Sequence, residues 1–388
     1  MVELSLYIFW IGTFVLLYTY LGYGLIIYLL SKLRNPAIIS GMQSNELPPV
    51  TVLIAAYNEE ILIEEKIKNT LALDYPPEKL SIFFVTDGSS DRTPEIVRNF
   101  EAVQLFHEPE RKGKIHAVSR VMKFVRTPVV IYSDANTYLN PMAIKNMVRH
   151  YQDQKVGGVA GEKKIAKKQE DSASGAGEGL YWKYESFLKQ KDSDVYSVVG
   201  AAGELFSIRT DLYEEPDADM IIEDFYVSLR IAMRGYRFIY EPDAYALESA
   251  SLSVREEWKR KVRICAGGFQ AMIRLIPLMN IFRYGVLSFQ YISHRMLRWT
   301  LAPLFLPWIL ISNIILAFQG SFTYQVILAL QIIFYFVAGL GQLFQNKKIA
   351  IKGFFVPYYF TVMNLSVYAG FFRFVAGKQS VMWEKAKR

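Results

Sequence analysis

The chain has 388 residues, a formal net charge of +7 and a hydrophobic content of 52%, which is above the roughly 45–50% typical of soluble domains. Part of it is therefore predicted to lie in lipid, and its positive charge suits an anionic membrane surface or an anionic ligand. One cysteine and four isolated histidines exclude an internal disulfide, a cysteine metal cluster and a histidine-rich zinc site, so carboxylates must hold any metal that binds.

The first predicted element is an N-terminal membrane anchor within residues 1–34. Residues 4–30 carry no charge and are long enough to cross a bilayer. They are too long for the core of a signal peptide and lack a small-residue cleavage site. Lys32 and Arg34 follow this run, whereas only Glu3 precedes it. The positive charge after the anchor predicts that the N-terminus lies outside and that the next domain is cytoplasmic.

Residues 48–255 are predicted to form an α/β domain. Four apolar, strand-like runs, VTVLIAAY, SIFFVTDG, AVQLFH and VVIYSD, are each followed by a segment of helical periodicity. That alternation is typical of a parallel sheet with crossover helices, in which ligands bind beyond the carboxyl ends of the strands. The polar residues that follow these strand ends are Asn58, Glu59, Asp87, Lys112, Lys114, Asp134 and Asn136.

The rest of the chain is predicted to return to the membrane. Residues 256–300 mix cations with bulky apolar side chains, which is typical of helices lying in the membrane interface. Residues 301–376 contain three apolar runs that are long enough to span, and a basic tail, 377–388, follows. The three runs are 301–318, 323–344 and 354–376. Three full crossings would place the tail outside, against the positive-inside rule, so either one segment is re-entrant or the rule does not hold here.

Two motifs in the α/β domain favour binding of a metal ion and a phosphate group. Asp134 ends a strand, where a carboxylate provides one of the few protein oxygens that Mg²⁺ needs beside substrate phosphates. Asn136 is the second candidate ligand, although it could simply start the next turn. Arg111, Lys112 and Lys114 crowd the start of a predicted helix, where the helix dipole disfavours cations unless an anion such as diphosphate binds. A solvated basic loop is the alternative.

The other candidate residues have a structural explanation beside the functional one. Asp87 follows a strand and could form an Asx-turn. The adjacent acids Glu223 and Asp224 begin a predicted helix, and acids stabilise a first helical turn in any case. Arg260 and Arg263 share one helix face, where they form either an arginine clamp on phosphate or a basic cluster at the membrane surface.

Taken in order, the motifs AAYNEE, TDGSSD, RKGKIHA, SDAN, GAAGELFSIR, IIED and RKVRI resemble those of the membrane-bound family-two glycosyltransferases. That family includes the synthases of cellulose, chitin, hyaluronan and poly-N-acetylglucosamine. The resemblance covers residues 50–275, with predicted spans on both sides. It implies a GT-A (Rossmann-like) fold, a nucleotide-sugar donor, for which a UDP-sugar is expected, an Mg²⁺ or Mn²⁺ ion, and inversion at the anomeric carbon.

The resemblance also implies which residues bind the donor. Ala56, Tyr57 and Glu59 match positions that line the nucleotide base and ribose. Asp87 matches a residue on the base, and Lys112 matches one that approaches the diphosphate.

The same resemblance implies roles for the metal, acceptor and catalytic residues. Asp134 matches the first acid of the metal-binding Asp-x-Asp motif. Gly203 and Glu204 fall where family members line the acceptor pocket. Asp224, with Glu223 as its neighbour, matches the final acid of the Thr-Glu-Asp motif, which acts as the general base.

Three positions depart from the family pattern. Asn136 replaces the second acid of the Asp-x-Asp motif, and Ile222 replaces the threonine before Glu-Asp. Only Arg263 remains of the Gln-x-x-Arg-Trp signature of processive synthases, because Ile264 stands where a tryptophan would stack on an acceptor sugar. These departures favour short or single additions over growth of a polymer.

The sequence therefore predicts a multi-pass enzyme of the cell (inner) membrane that moves a sugar from a nucleoside diphosphate to a hydroxyl of a lipid-linked or saccharide acceptor. Its predicted partners are the nucleotide sugar, the acceptor and the bilayer, without nucleic acid. A processive polysaccharide synthase is the alternative within the enzyme class. From another class, a non-catalytic subunit could sense nucleotide or escort polymer, and the presence of both Asp134 and Asp224 disfavours it.

Overall fold

The computed structural model describes residues 2–33, 47–165, 173–248, 254–346 and 352–377. The chain divides into two compact units. One contains the N-terminal and C-terminal helices, and the other is the α/β unit, built chiefly from residues 33–166 and 185–250. Apart from Gly377, the predicted basic tail lies outside the described residues.

In the described part of the α/β unit, the strands form one sheet in the order β3-β2-β1-β4-β7-β6-β8-β5. They are β1 (Val50–Ala56), β2 (Leu80–Asp87), β3 (Gln104–Glu108), β4 (Val129–Asp134), β5 (Thr137–Leu139), β6 (Val156–Ile165), β7 (Leu205–Arg209) and β8 (Arg237–Glu248).

The parallel arrangement predicted from the sequence is confirmed for the four predicted strands, β1 to β4, and β6 and β8 also pair in parallel. β1 pairs in parallel with β2 and β4, and β2 with β3. β7 runs antiparallel to both β4 and β6, so the whole sheet is mixed. The second half does not follow the simple pattern because β6 contains three glycines and three charged residues and is therefore not an apolar run.

The α-helices of the described residues are α1 (Val2–Leu17), α2 (Tyr23–Leu33), α3 (Ile63–Leu71), α4 (Thr93–Arg98), α5 (Lys114–Met122), α6 (Ala143–Val148), α7 (Ala173–Val195), α8 (Glu223–Met233), α9 (Val254–Arg274), α10 (Ile281–Tyr284), α11 (Val286–Tyr291), α12 (Leu297–Trp299), α13 (Leu301–Ala317), α14 (Phe322–Asn346) and α15 (Lys352–Val375). The helices α3 to α6 follow the first four strands in the predicted alternation. α8 begins at the predicted acids, and Gly235, with a φ of +93°, adopts beyond its end the left-handed backbone that favours glycine.

β1 is buried on both faces because helices cover each side of the sheet. Val52 and Ile54 pack in a hydrophobic cluster with residues of α3 and α6. Leu53 and Ala55 pack on the opposite face with residues of α5 and α8. The sheet is thus the middle of three layers, and strands buried on both faces explain the continuous apolar runs of the sequence.

The alternation of side chains along the strands brings two of the predicted site residues to one face. Asp134 follows Val130 and Tyr132 at alternate positions of β4, and Asp87 follows Val85 on β2. Val130, Tyr132 and Val85 all pack toward α5 and α8. Because side chains alternate with a period of two, both carboxylates lie on the α5 and α8 side at the carboxyl ends of their strands.

Among the described residues of the other unit, two helical segments are long and apolar enough to cross a membrane, Val2–Leu33 and Phe322–Phe344. They agree with the predicted anchor and with the run at 323–344. The helix in the run at 301–318 is long and apolar enough to cross only when it is taken together with the preceding segment, Val286–Trp299. The two are bent by 49° relative to each other. The third run, 354–376, forms α15, which does not meet the criterion of length and hydropathy, so a crossing there stays a prediction.

Candidate active site

Four ionisable side chains from three elements meet at the carboxyl end of the sheet. Asp134 ends β4, Lys114 begins α5, and Glu223 and Asp224 begin α8. Lys114 Nζ lies 3.0 Å from Asp134 Oδ1 and 3.0 Å from Glu223 Oε1. A Cβ added to Gly203 would lie 3.3 Å from Asp224 Oδ2 and 3.4 Å from Lys114 Nζ. The same atom would lie 3.8 Å from Asp134 Oδ2. The structure therefore brings the predicted metal, acceptor and base positions together beside Gly203.

The two adjacent acids of α8 have different partners. Glu223 is paired with Lys114, whereas Asp224 Oδ1 accepts the backbone N–H of Phe225 at 2.9 Å and its Oδ2 is the oxygen nearest Gly203. Burial and the charge of Glu223 raise the pKa of Asp224 to about 7, although Lys114 and the Phe225 N–H act to lower it. A positioned carboxylate with a pKa near the operating pH is suited to accept a proton, and here that carboxylate is Asp224.

Lys114 supplies the positive charge of this cluster. Burial acts to lower its pKa, but the carboxylates of Asp134, Glu223 and Asp224 outweigh burial and raise it. Lys114 is therefore an ammonium ion held among carboxylates at the N-terminus of α5, where backbone N–H groups and the helix dipole also favour an anion. A diphosphate bound there would meet both.

The donor atoms at Asp134 fit a hard divalent cation shared with a phosphate ligand. Asp134 provides carboxylate oxygens, Asn136 carries an amide oxygen, and the ammonium of Lys114 already lies against Asp134. Within the described residues, His, Cys, Asp and Glu side chains do not form a group of three that could hold an ion by themselves. A divalent cation at Asp134 would therefore need substrate phosphates as further ligands.

A buried lysine on α3 fixes the turn between Asp134 and Asn136. Lys66 is fully buried, and its Nζ donates to Ser133 Oγ at 2.8 Å and to Thr137 O at 2.7 Å. These bonds tie the residues on both sides of the turn. Burial lowers the pKa of Lys66 to about 7, against the opposing charge of Asp134. A lysine on the apolar face of a predicted helix is the sequence signal that could have found this role.

A small pocket beside β1 and β2 contains three of the predicted donor-binding residues, Ala56, Tyr57 and Asp87. Asp87 is buried and accepts the backbone N–H groups of Lys112, at 3.0 and 3.1 Å, and of Gly113, at 2.6 Å. It therefore anchors the loop that leads into α5. The complete lining is Ala55, Ala56, Tyr57, Val85, Asp87, Arg111, Gly113, Lys114 and Ala117.

The three cations that crowd the start of α5 lie in different surroundings. The guanidinium of Arg111 lies 3.8 Å from the centre of the Tyr57 ring. The Lys112 side chain is 45% exposed, and its Nζ lies 3.1 Å from Glu110 Oε2. Lys114 alone of the three lies beside Asp134, so the structure places it closer to the site than the sequence indicated, while a contact of Lys112 with diphosphate stays a prediction. The sequence could not show which of the two lysines lies nearer Asp134, because the direction of each side chain depends on the residue at which α5 begins.

The loops that follow β1 and β2 bind each other, which joins the AAYNEE and TDGSSD motifs in one structure. Asn58 has a φ of +53°, rare outside glycine, and its Oδ1 accepts the Ser90 N–H at 2.8 Å. The Glu59 N–H donates to Thr93 Oγ1 at 2.8 Å. The backbone of Glu59 is thus held at the start of α4, and its contact with a nucleotide stays a prediction.

Two predicted residues have charged partners that the sequence did not suggest. Glu204 Oε1 lies 2.8 Å from Lys163 Nζ, and Asn136 Nδ2 donates to Glu248 Oε1 at 2.9 Å. Lys163 and Glu248 also pair with each other. The sequence shows charged residues in the segments that form β6 and β8. It does not reveal how these strands pair, so these contacts could not be predicted from it.

Arg260 and Arg263 lie on α9, in the unit that contains the terminal helices. Arg260 pairs with Glu257 at 2.9 Å. Ile264, which stands where the family has tryptophan, is half-buried on the same helix. The predicted contact of the two arginines with the donor stays a prediction.

Comparison with known proteins relates part of this chain, including Asp134 and Lys114, to a known family. Residues 51–215 match the family described as Glycosyl transferase family 2. A poly-beta-1,6-N-acetyl-D-glucosamine synthase of Staphylococcus aureus is 32% identical over 248 residues, which cover 59% of this chain and 57% of that protein. The synthase of the same description from Staphylococcus epidermidis is 25% identical over 271 residues, 67% of this chain and 64% of that protein. The chain thus spans less than two thirds of the length of these curated relatives.

A solved structure shares the fold over almost the whole chain. It is a mannosyltransferase, PcManGT from Pyrobaculum calidifontis, in complex with GDP-Man and Mn2+, and it superposes with a TM-score of 0.72 at 22% identity. The superposition covers 96% of this chain and 100% of that one. The predicted GT-A fold is therefore confirmed.

Proposed function

We propose that this protein is a membrane-bound inverting glycosyltransferase that moves a sugar from a nucleoside diphosphate to an acceptor hydroxyl, with Asp224 as the general base. The observation that carries the proposal is the meeting of Asp134, Lys114 and Asp224 beside Gly203. A donor diphosphate needs positive charge, and an acceptor hydroxyl needs a base. Both are present within one site.

In the proposed mechanism each group has one role. Lys114 holds the diphosphate by its charge at the N-terminus of α5. Asp134, with Asn136, would hold a divalent cation, which would supply positive charge to the leaving diphosphate. Asp224 Oδ2 takes the hydroxyl proton while the acceptor oxygen forms a bond to the anomeric carbon and the bond from that carbon to the phosphate oxygen breaks. Attack from the face opposite the leaving group inverts the configuration, and the nucleoside diphosphate leaves with the bonding electron pair.

The finer identity of donor and cofactor is part of this proposal. The relatives are named for a polymer of N-acetyl-D-glucosamine, which supports an N-acetylglucosamine donor, with UDP as the expected nucleotide. The fold neighbour was solved with GDP-Man and Mn2+, which supports a nucleotide sugar with Mg²⁺ or Mn²⁺. The acceptor is a saccharide or lipid-linked hydroxyl, and the two candidate spans support a multi-pass protein of the inner membrane with a cytoplasmic catalytic domain.

The configuration of the product tests the proposed inversion. We expect an α-linked donor to give a β-linked product, because one displacement at the anomeric carbon inverts it. Nuclear magnetic resonance of the purified product reads the configuration directly, because a glycosidic linkage does not equilibrate in neutral water. An α-linked first product would show two displacements or another mechanism and would rule out a single step with Asp224 as base.

The second candidate function is repeated addition, as in a polysaccharide synthase. The names of the relatives favour it. Ile264 instead favours short or single additions, because the acceptor-binding site then lacks the aromatic surface that a tryptophan would provide at this position. Trp258 and Phe269, also on α9, are the other aromatic residues that could provide such a surface. Trp258 is half-buried, and Phe269 packs against Phe371 and Phe374 with ring centres 5.2 and 6.3 Å apart. Sizing the product of the purified protein decides between the two functions. One to a few added sugars would support single transfer, and a long, size-dispersed polymer would establish the synthase.

We expect the transfer rate to rise with pH through about 7. Asp224 must be ionised to take a proton, and its pKa is raised to about 7, so kcat/KM should fall about tenfold per pH unit below that value. The effect on stability has the opposite sign. The folded carboxyl keeps its proton up to about pH 7 while the unfolded one, with a pKa of 3.8, loses it earlier, so this contribution to stability falls as pH rises from about 4 to 7. A kcat/KM profile that is flat between pH 5.5 and about 8 would contradict this assignment.

A further inference from the structure

A second buried cluster joins the predicted cation site to the predicted acceptor loop. Asn136 Nδ2 donates to Glu248 Oε1 at 2.9 Å. Glu248 also pairs with Lys163, whose Nζ lies 2.8 Å from Glu204 Oε1. A continuous series of polar contacts thus runs from Asn136 through Glu248 and Lys163 to Glu204.

The sheet register fixes this arrangement. β5 and β8 pair so that Thr137 lies opposite Glu248, which places Glu248 beside Asn136. β6 and β8 pair so that Lys163 lies opposite Ala246, two residues before Glu248. Residues two apart on a strand lie on the same face, and diagonal neighbours on adjacent strands are within reach of long side chains. The contact between Lys163 and Glu248 is therefore built into the sheet.

The cluster brings two carboxylates and one ammonium into contact in a largely buried place. Lys163 is 4% exposed and Glu248 is 6% exposed. Removal of a charge from water is costly unless it is paired, and here the ammonium of Lys163 contacts the carboxylates of both Glu248 and Glu204.

The hydrogen bond to Glu248 uses the nitrogen end of the Asn136 amide. A carboxylate oxygen accepts such a bond. The amide oxygen of Asn136 is left on the other side, and an amide oxygen, unlike the nitrogen, is a ligand for hard divalent cations.

We propose that Glu248 is a positioning residue of the cation site, which leaves the Asn136 oxygen available to the cation and supplies nearby the negative charge that Asn136 lacks. Lys163 holds Glu248 in this position and ties it to Glu204 of the acceptor loop. This inference rests on the proposed function, because it presupposes a divalent cation at Asp134. It gives a physical reason why an amide can stand where an Asp-x-Asp motif has its second acid.

Titration of the purified full chain with Mn²⁺ in the presence of UDP, corrected by a protein-free UDP blank and followed by the electron paramagnetic resonance signal of free Mn²⁺, tests the inference without an activity assay. We expect Glu248→Gln to weaken Mn²⁺ binding about tenfold or more, since loss of an outer-shell partner typically costs about 10–100-fold in metal affinity. Glu241→Gln is the matched control. Glu241 lies on β8, is 2% exposed and pairs with Arg149 and His150, so its loss should lower stability and leave Mn²⁺ binding unchanged.

A charge-swapped variant makes the test independent of folding defects. Asn136→Asp combined with Glu248→Gln keeps one acid and one amide in contact, so we expect it to regain most of the affinity that Glu248→Gln loses. The inference alone is overturned if Asp134→Asn weakens binding while Glu248→Gln does not, or if the swapped variant binds no better than Glu248→Gln. If Asp134→Asn binds Mn²⁺ as tightly as the parent, the proposed cation site itself is wrong and the inference falls with it.

Discussion

Replacement of Asp224 with asparagine is expected to lower the rate of sugar transfer by a factor of about 10²–10⁴, which is the usual contribution of positioned proton transfer. Asparagine keeps the size of the side chain and removes its basicity. Donor binding should survive, because Lys114 and Asp134 remain in place. The fold should also survive, because the substitution removes a buried carboxylate whose pKa is raised by its surroundings. Transfer rate and nucleotide affinity should be measured on one preparation.

Glu223→Gln is the informative control for that experiment. Glu223 is the next residue and an acid of the same cluster, but it pairs with Lys114 at 3.0 Å. Its loss should alter donor binding through Lys114, with an effect mainly on KM. It should keep the base but lower the pKa of Asp224, which burial and the charge of Glu223 raise. If Asp224→Asn transfers sugar at the parental rate while Glu223→Gln is inactive, the base has been assigned to the wrong carboxylate.

Asp134→Ala is expected to abolish cation-dependent turnover. Asp134 is the acid of the strand end that lies against Lys114, and loss of a direct ligand should exceed the roughly 10–100-fold cost of an outer-shell partner. Asn136→Ala should do less harm, because a neutral amide binds a hard cation more weakly than a carboxylate. The dependence of transfer rate on Mg²⁺ or Mn²⁺ concentration measures both effects.

The comparison of the two variants is the control. Thermal unfolding in detergent establishes that each still folds, which is expected because Lys66 fixes the turn through Ser133 and the Thr137 carbonyl rather than through Asp134. Equal losses from Asp134→Ala and Asn136→Ala would contradict the ranking of the two ligands. Unaltered turnover in Asp134→Ala would eliminate the site.

The part of the site that depends on local pattern could be predicted from the sequence. The apolar runs of β1, β2 and β4 predict strands, and a strand's period of two places Asp87 and Asp134 on one face. The helical spacing after Asp224 places that acid in a first helical turn, where the structure has it. These features need only neighbours along the chain.

The part that depends on strand register could not be predicted. Asn136 and Glu248 are 112 positions apart, and their contact exists because β5 pairs with β8 at Thr137 and Glu248. Lys163 enters from β6, whose glycines and charges do not form an apolar run. The choice between Lys112 and Lys114 likewise depended on the start of α5, one residue after Gly113, whose φ is +98°.

Release of nucleoside diphosphate from a panel of nucleotide sugars is the most direct test of the central claim, that this site transfers sugar. The purified full chain would be incubated with Mn²⁺, a saccharide acceptor and each of the common UDP- and GDP-sugars, in parallel with Asp224→Asn and Asp134→Ala. The account predicts that the parent releases nucleotide from one donor in step with a glycosylated product, and that both variants release little or none. Release at equal rates by the parent and both variants, or no release from any donor, would contradict it.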